Sequence, residues 1–261
     1  MICAYLYNNL KQLSFKQFIS GGWSVDRYFK VSKRKPIERE TLAGKATVAL
    51  RNMIITGEFP PAAKITEISL AEAIGVSRAC IREAVITLEQ EGLLTKVQNH
   101  YTQVVQFSAS DVDEICELRL AIETMALRKS MARRNLNLER LDQHVQQLID
   151  SMNLKSSDTI IHWLEDDMAF HREIVAAAGN QRVLVFWESL SNQVVAMLYM
   201  AHRIHPELIA RPTDTHAQIV RAIRQDDPDE ATRLLQEHIT SSVSWVKLAV
   251  AFRDQPTEQD G

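Results

Sequence analysis

The chain has 261 residues, 46% of them hydrophobic and 24% charged, with only 8 Gly, 7 Pro and three scattered cysteines, Cys3, Cys80 and Cys116. This length supports a sizeable core and two domains; the composition excludes a fibrous, low-complexity or disulfide-stapled chain, favours helix, and fits a reducing cytoplasm. The net charge of −3 divides into a basic front, 14 Lys and Arg against 9 Asp and Glu over residues 1–107, and an acidic remainder, 16 against 24, so a polyanionic partner is expected for the front half.

Residues 1–36 read as an N-terminal extension of little regular structure, ending in the basic cluster Lys33-Arg34-Lys35. The start, "MICAYLYNNLKQLSFKQF", has no basic segment ahead of an apolar stretch, so no secretory signal is expected. Nor does any apolar run read as the roughly 18–20 residues that span a bilayer.

From residue 37 to 107 the pattern is that of a winged helix-turn-helix. "ERETLAGKATVALRNMIITGEF" sets Leu42, Ala46, Ala49, Leu50, Met53 and Ile54 at helical spacing, and Gly57 ends the helix. "PPAAKI" is expected to be an extended connection. A short helix with Leu70, Ala71 and Ile74 then stops at Gly75. Ser77 caps a second helix that buries Ile81, Ala84, Val85 and Leu88. Two short helices joined by "GVS" make a helix-turn-helix, with Ser77, Arg78 and Arg82 at the end of the second helix that meets DNA. "LLTKVQNHYTQVVQF" is β-branched at alternate positions and reads as a two-stranded wing turning near Gln98-Asn99-His100.

The run "LRNMIITGEFPPAAKITEISLAEAIGVSRACIREAVITLEQEGLL" resembles the GntR-type bacterial transcription regulators. The resemblance implies a dimer on double-stranded operator DNA. It places Arg51, Lys64, Arg78 and Arg82 at the family's DNA-contacting positions, and His100 where the wing often carries arginine. Three departures stand out. Ala62 replaces a usual glycine, Ala79-Cys80 replaces a residue-proline pair, and Tyr101 replaces a wing glycine that permits close approach to the minor groove.

Residues 108–255 read as an antiparallel all-α bundle. Ser110 is the expected N-cap of a helix with Val112, Ile115, Leu118, Ala121, Ile122, Met125 and Ala126 at helical spacing, and further helices are expected at about 138–151, 159–178, 181–202, 206–225 and 228–252. Asp167 and His171, four residues apart, leave one face of a helix, where they could hold a metal, do acid–base chemistry or face water. His216 and His238 each lie eleven residues from Asp227-Pro228, which sets them level across a helix hairpin. Together these four could supply three nitrogens and a carboxylate to a divalent metal such as Zn, Ni, Mn or Co.

This half looks like the FCD-type ligand-binding domain of the FadR branch of the same family: Arg119 with Glu123, "DMAFHREIVAAAGN", then His216 and His238. The resemblance implies that Asp167, His171, His216 and His238 are metal ligands and that the domain binds a small carboxylate or sugar-acid effector. Arg119 either reaches that effector or pairs along its own helix with Glu123. Two other classes remain open from sequence: a metal-dependent hydrolase or lyase, and a bundle that only dimerises. No His-Glu-x-x-His motif and no second catalytic carboxylate support the enzyme reading, so the expectation is a cytoplasmic repressor.

Overall fold

A computed structural model describes residues 41–97, 101–153, 159–204 and 214–254. The extension 1–36, the wing turn 98–100 with His100, and the start expected for the 206–225 helix lie outside the described residues.

Helix α1 (Leu42–Ile55) opens on Thr41, whose hydroxyl accepts from the Gly44 amide at 3.0 Å. Its buried stripe is Ala43, Ala46, Thr47, Leu50 and Ile54, so Ala46, Leu50 and Ile54 fall where the spacing expects, Ala49 and Met53 are half-buried, and Leu42 is exposed. Strand β1 (Lys64–Ile65) follows, then α2 (Glu67–Ile74), capped by Thr66 with Ser69 answering in a capping box, and ended by Gly75 at φ 76. Helix α3 (Arg78–Gln90) is capped by Ser77 and buries Ile81, Ala84, Val85 and Leu88, as the pattern predicts.

Strands β2 (Leu94–Val97) and β3 (Tyr101–Val104) form the expected hairpin, but the sheet has three strands, ordered β1-β3-β2. The extra strand is the "PPAAKI" connection, where Lys64 pairs with Gln103 and Ile65 with Thr102. A two-residue strand carries no readable alternation, so its pairing is decided by β3 rather than by its own sequence. Just before it, Ala62 holds φ 64, with its amide donating to the Val104 carbonyl and its carbonyl accepting from Gln103 Nε2. Alanine thus keeps the left-handed backbone that a glycine would adopt without strain.

The bundle comprises α4 (Ala109–Arg133), α5 (Leu138–Asn153), α6 (Thr159–Ala177), α7 (Gln181–Ile204), α8 (Asp214–Arg224) and α9 (Pro228–Arg253). The cap of α4 is Ser108, not Ser110. Ser108 and Asp111 satisfy each other's backbone amides in a capping box, while Ser110 bonds to Glu114. Two larger apolar cores run through the described part of the bundle, one including Ala126, Met168, Trp187 and Val194, the other Leu127, Phe170, Ile219 and Leu235, beside a smaller cluster of Leu148, Ile160, Trp163 and Leu164. Asp167 and His171 interleave with Met168 and Phe170, placing polar groups where the two cores meet.

By length and composition α7 is long and apolar enough to cross a membrane, contrary to the sequence reading. Its apolarity has a packing cause. Leu184, Trp187, Leu190, Val194 and Met197 enter the bundle core, while Ala196 packs on the core of the winged helix. The same helix carries other ties between the two parts: Ser189 Oγ donates to the Gln90 carbonyl at 3.4 Å, and Arg203 Nη1 to the Thr56 carbonyl at 3.3 Å.

Candidate metal centre and DNA-facing surface

The structure brings Asp167 and His171 of α6, His216 of α8 and His238 of α9 together. One ligand atom from each lies within 4.8 Å of all the others, and the residues are 3%, 0%, 2% and 7% exposed. His216 Nε2 is 2.9 Å and His238 Nε2 3.7 Å from Asp167 Oδ1, and His171 Nε2 is 4.0 Å from Oδ2. The His216 and His238 rings meet at 4.3 Å between centroids, as their equal distance from the α8–α9 turn predicts.

Glu123 anchors the ring of His171 from outside the cluster. Glu123 Oε2 is 2.6 Å from His171 Nδ1, and Glu123 Oε1 accepts from Arg119 Nε at 2.8 Å and Trp187 Nε1 at 2.9 Å. Burial opposes a charge on Glu123, but Arg119, His171 and the indole donor overcome it and hold the carboxyl well below the usual range. An ionised Glu123 is an acceptor for the proton on His171 Nδ1.

His171 Nε2 lies 3.1 Å from His238 Nε2, and His238 Nδ1 lies 3.3 Å from the Thr215 hydroxyl. Burial, reinforced by neighbouring His216, holds His238 well below the usual imidazole range, so it is neutral. Asp167 is ionised: burial again opposes the charge, but His216 first, and then His171 and His238, hold its carboxyl well below the ordinary value.

The polar atoms of the cluster are poorly satisfied by one another. Asp167 Oδ1 and both ring nitrogens of His216 are buried without a hydrogen bond among the described residues, the 2.9 Å approach being close in distance but not aligned as one. Such groups are costly in a core unless something satisfies them. Three imidazole nitrogens and one carboxylate are the donor set of a first-row divalent metal, and a cation among them would engage both a ring nitrogen of His216 and the orphaned oxygen of Asp167. The residues fit a metal.

Arg119 resolves its two readings in an unexpected way. Its Nε does pair along the helix with Glu123, while its Nη2 is buried with no partner among the described residues. Glu123 and Trp187 were the links that spacing could not supply. Arg119 and Glu123 read as a local i, i+4 pair, and nothing local says that Glu123 also holds a histidine 48 positions on.

On the opposite part of the molecule, Arg78 and Arg82 are exposed on α3, and Arg82 forms a two-point pair with Glu67 of α2 at 3.2 and 3.0 Å. Ser77 caps α3, its hydroxyl accepting from the Cys80 amide. Arg51 is half-buried, with its fork on Glu91 at 2.8 and 2.7 Å, tying α1 to the end of α3. Lys64 is exposed and stands over the Tyr101 ring at 4.9 Å.

Two families match in tandem: the family described as bacterial regulatory proteins, gntR family, over residues 42–104, and the FCD domain over residues 114–241. A protein of Paenarthrobacter nicotinovorans named "Probable D-xylose utilization operon transcriptional repressor" is 27% identical over 79% of this chain and 89% of that protein. The gluconate operon transcriptional repressor of Bacillus licheniformis is 24% identical over 78% of this chain and 84% of its own length. Among solved structures, Escherichia coli McbR/YncC superposes with a TM-score of 0.68 at 19% identity, covering 80% of this chain and 98% of that one, a likeness of fold.

Proposed function

This chain belongs to the GntR family of bacterial regulatory proteins with a C-terminal FCD domain, and we propose that it is a metal-dependent, metabolite-responsive repressor. It is a transcriptional regulator by family, not an enzyme. The observation that carries the sensing half is the buried Asp167–His171–His216–His238 cluster with its orphaned atoms, set beside the unpartnered Nη2 of Arg119.

Asp167, His171, His216 and His238 hold a divalent cation, Zn first among Zn, Ni, Mn and Co. When bound, the metal supplies a fixed Lewis-acid centre for an oxygen of a small carboxylate or sugar acid. Arg119 Nη2 donates to that ligand's other oxygen or second carboxylate. Glu123 fixes the tautomer of His171 and the direction of Arg119 at once, and Trp187 connects Glu123 to α7, the helix that touches the winged helix. Two relatives named for D-xylose and gluconate operons support a sugar-derived effector.

At the other end, Arg78 and Arg82 reach base edges and phosphates from the N-terminal part of α3, Ser77 sets that helix end, and Lys64 contributes a phosphate contact. Arg82 exchanges Glu67 for DNA, while Arg51 braces α1 against α3. His100 adds a contact from the wing. The active species is a cytoplasmic homodimer whose two recognition helices meet successive major grooves. Effector binding changes operator affinity by as much as it distinguishes the two arrangements of the dimer.

The test is fluorescence anisotropy on DNA from the protein's own promoter region, titrated with sugar acids before and after metal removal. A metal-dependent release of DNA supports the reading. Indifference of the protein to every such fragment at low salt removes it.

A further inference from the structure

A cavity of about 340 Å³ opens where the winged helix meets α7, and it shares no lining residue with the Asp–His cluster. One wall is winged-helix core, Ile54, Leu93 and Val104; the other is Ala196 and Met200 of α7. The lining includes two guanidinium groups. Arg253 is already compensated, its Nε and Nη2 on the Asp254 carboxylate and Nη2 also on the Phe107 carbonyl.

Arg203 is not compensated. Its one hydrogen bond among the described residues is the 3.3 Å contact from Nη1 to the Thr56 carbonyl, and it has no carboxylate partner there. It lies against Gly57, which holds φ 73 and where a Cβ would collide with Nη1. The guanidinium and Gly57 thus line the same cavity side by side.

We infer that this cavity is a second ligand site, for a small amphipathic monocarboxylate whose apolar body fills the space between the domains and whose carboxylate pairs with Arg203. The volume falls in the range of small-molecule pockets, and domain boundaries are a favoured place for them. A guanidinium fork with free donors suits a carboxylate better than a neutral group. Because the walls belong to different domains, an occupant fixes how the winged helix sits on the bundle and alters operator affinity independently of the metal.

Calorimetric titration of the full chain with 4-phenylbutyrate and with uncharged 4-phenylbutanol tests this. One 4-phenylbutyrate is expected per chain. Arg203→Gln, an exposed change that leaves folding intact, weakens the acid about tenfold or more and leaves the alcohol unchanged. Met200→Trp, which fills the cavity, removes both. His216→Ala binds 4-phenylbutyrate as the unaltered chain does, which separates this site from the metal centre. Equal affinity of Arg203→Gln for the acid, loss of binding in His216→Ala, or no binding to the unaltered chain would each overturn the assignment.

Discussion

Helix α3 and the Asp167 cluster both concentrate candidate functional polar groups, but they hold them in opposite ways. On α3 the arginines are exposed, and Arg82 has a carboxylate partner that it can leave at little cost, because water solvates Glu67 once it is released. In the cluster four polar residues are buried, and several of their atoms have no hydrogen-bond partner among the described residues. An exposed, compensated charge is ready to exchange partners with a polyanion. A buried, uncompensated set is ready for one occupant that satisfies it. The first arrangement suits many transient contacts with DNA, the second a resident ion and a small ligand.

The largest effect expected from breaking this contrast is at Glu123, where the cluster depends on one carboxylate for His171, Arg119 and Trp187. Glu123→Ala leaves a buried guanidinium and an imidazole unpaired and should destabilise the bundle by about 3–5 kcal/mol in denaturant unfolding. Arg82→Ala is the counterpart on the exposed side. It should weaken operator binding about ten- to a hundredfold while the unfolding midpoint and the metal content stay unchanged. A stability loss there equal to that of Glu123→Ala would erase the distinction between the two regions.

A smaller, sharper effect concerns their connection. Trp187→Phe keeps the ring in the core but removes the donor to Glu123 Oε1. Metal and DNA should still bind, while the effector-induced change in operator affinity shrinks about fivefold or more in an anisotropy titration. If that change keeps its full size, α7 is not the route. Smallest is Ala62→Gly, which relieves a left-handed alanine and should stabilise the winged helix by about 0.5 kcal/mol in thermal unfolding.

The same contrast explains what could be read from sequence. The α3 stripe of Ile81, Ala84, Val85 and Leu88 and the Ser77 cap are local signals, and the structure repeats them without change. The level placement of His216 and His238 was legible because one proline-marked turn relates them. Strand β1 was not, since a two-residue strand is made by its partner. The Ser108 cap was displaced to Ser110 because both are serines ahead of acids, and only the Asp111 box decides between them. The apolar length of α7 was missed because its Gln, Ser and Asn residues interrupt a helix that nevertheless has apolar faces on two domains. Glu123 was visible as a partner of Arg119 and invisible as a partner of His171 and Trp187, because those contacts are set by packing of separate helices.

The most direct measurement is the metal content of the full chain, purified without tag or chelator, with a His216→Ala variant treated identically. The account predicts about one divalent ion per chain in the unaltered protein and almost none in the variant, with both chains equally helical. An unaltered protein that holds no metal even after dialysis against zinc, or a variant that holds as much, would contradict it.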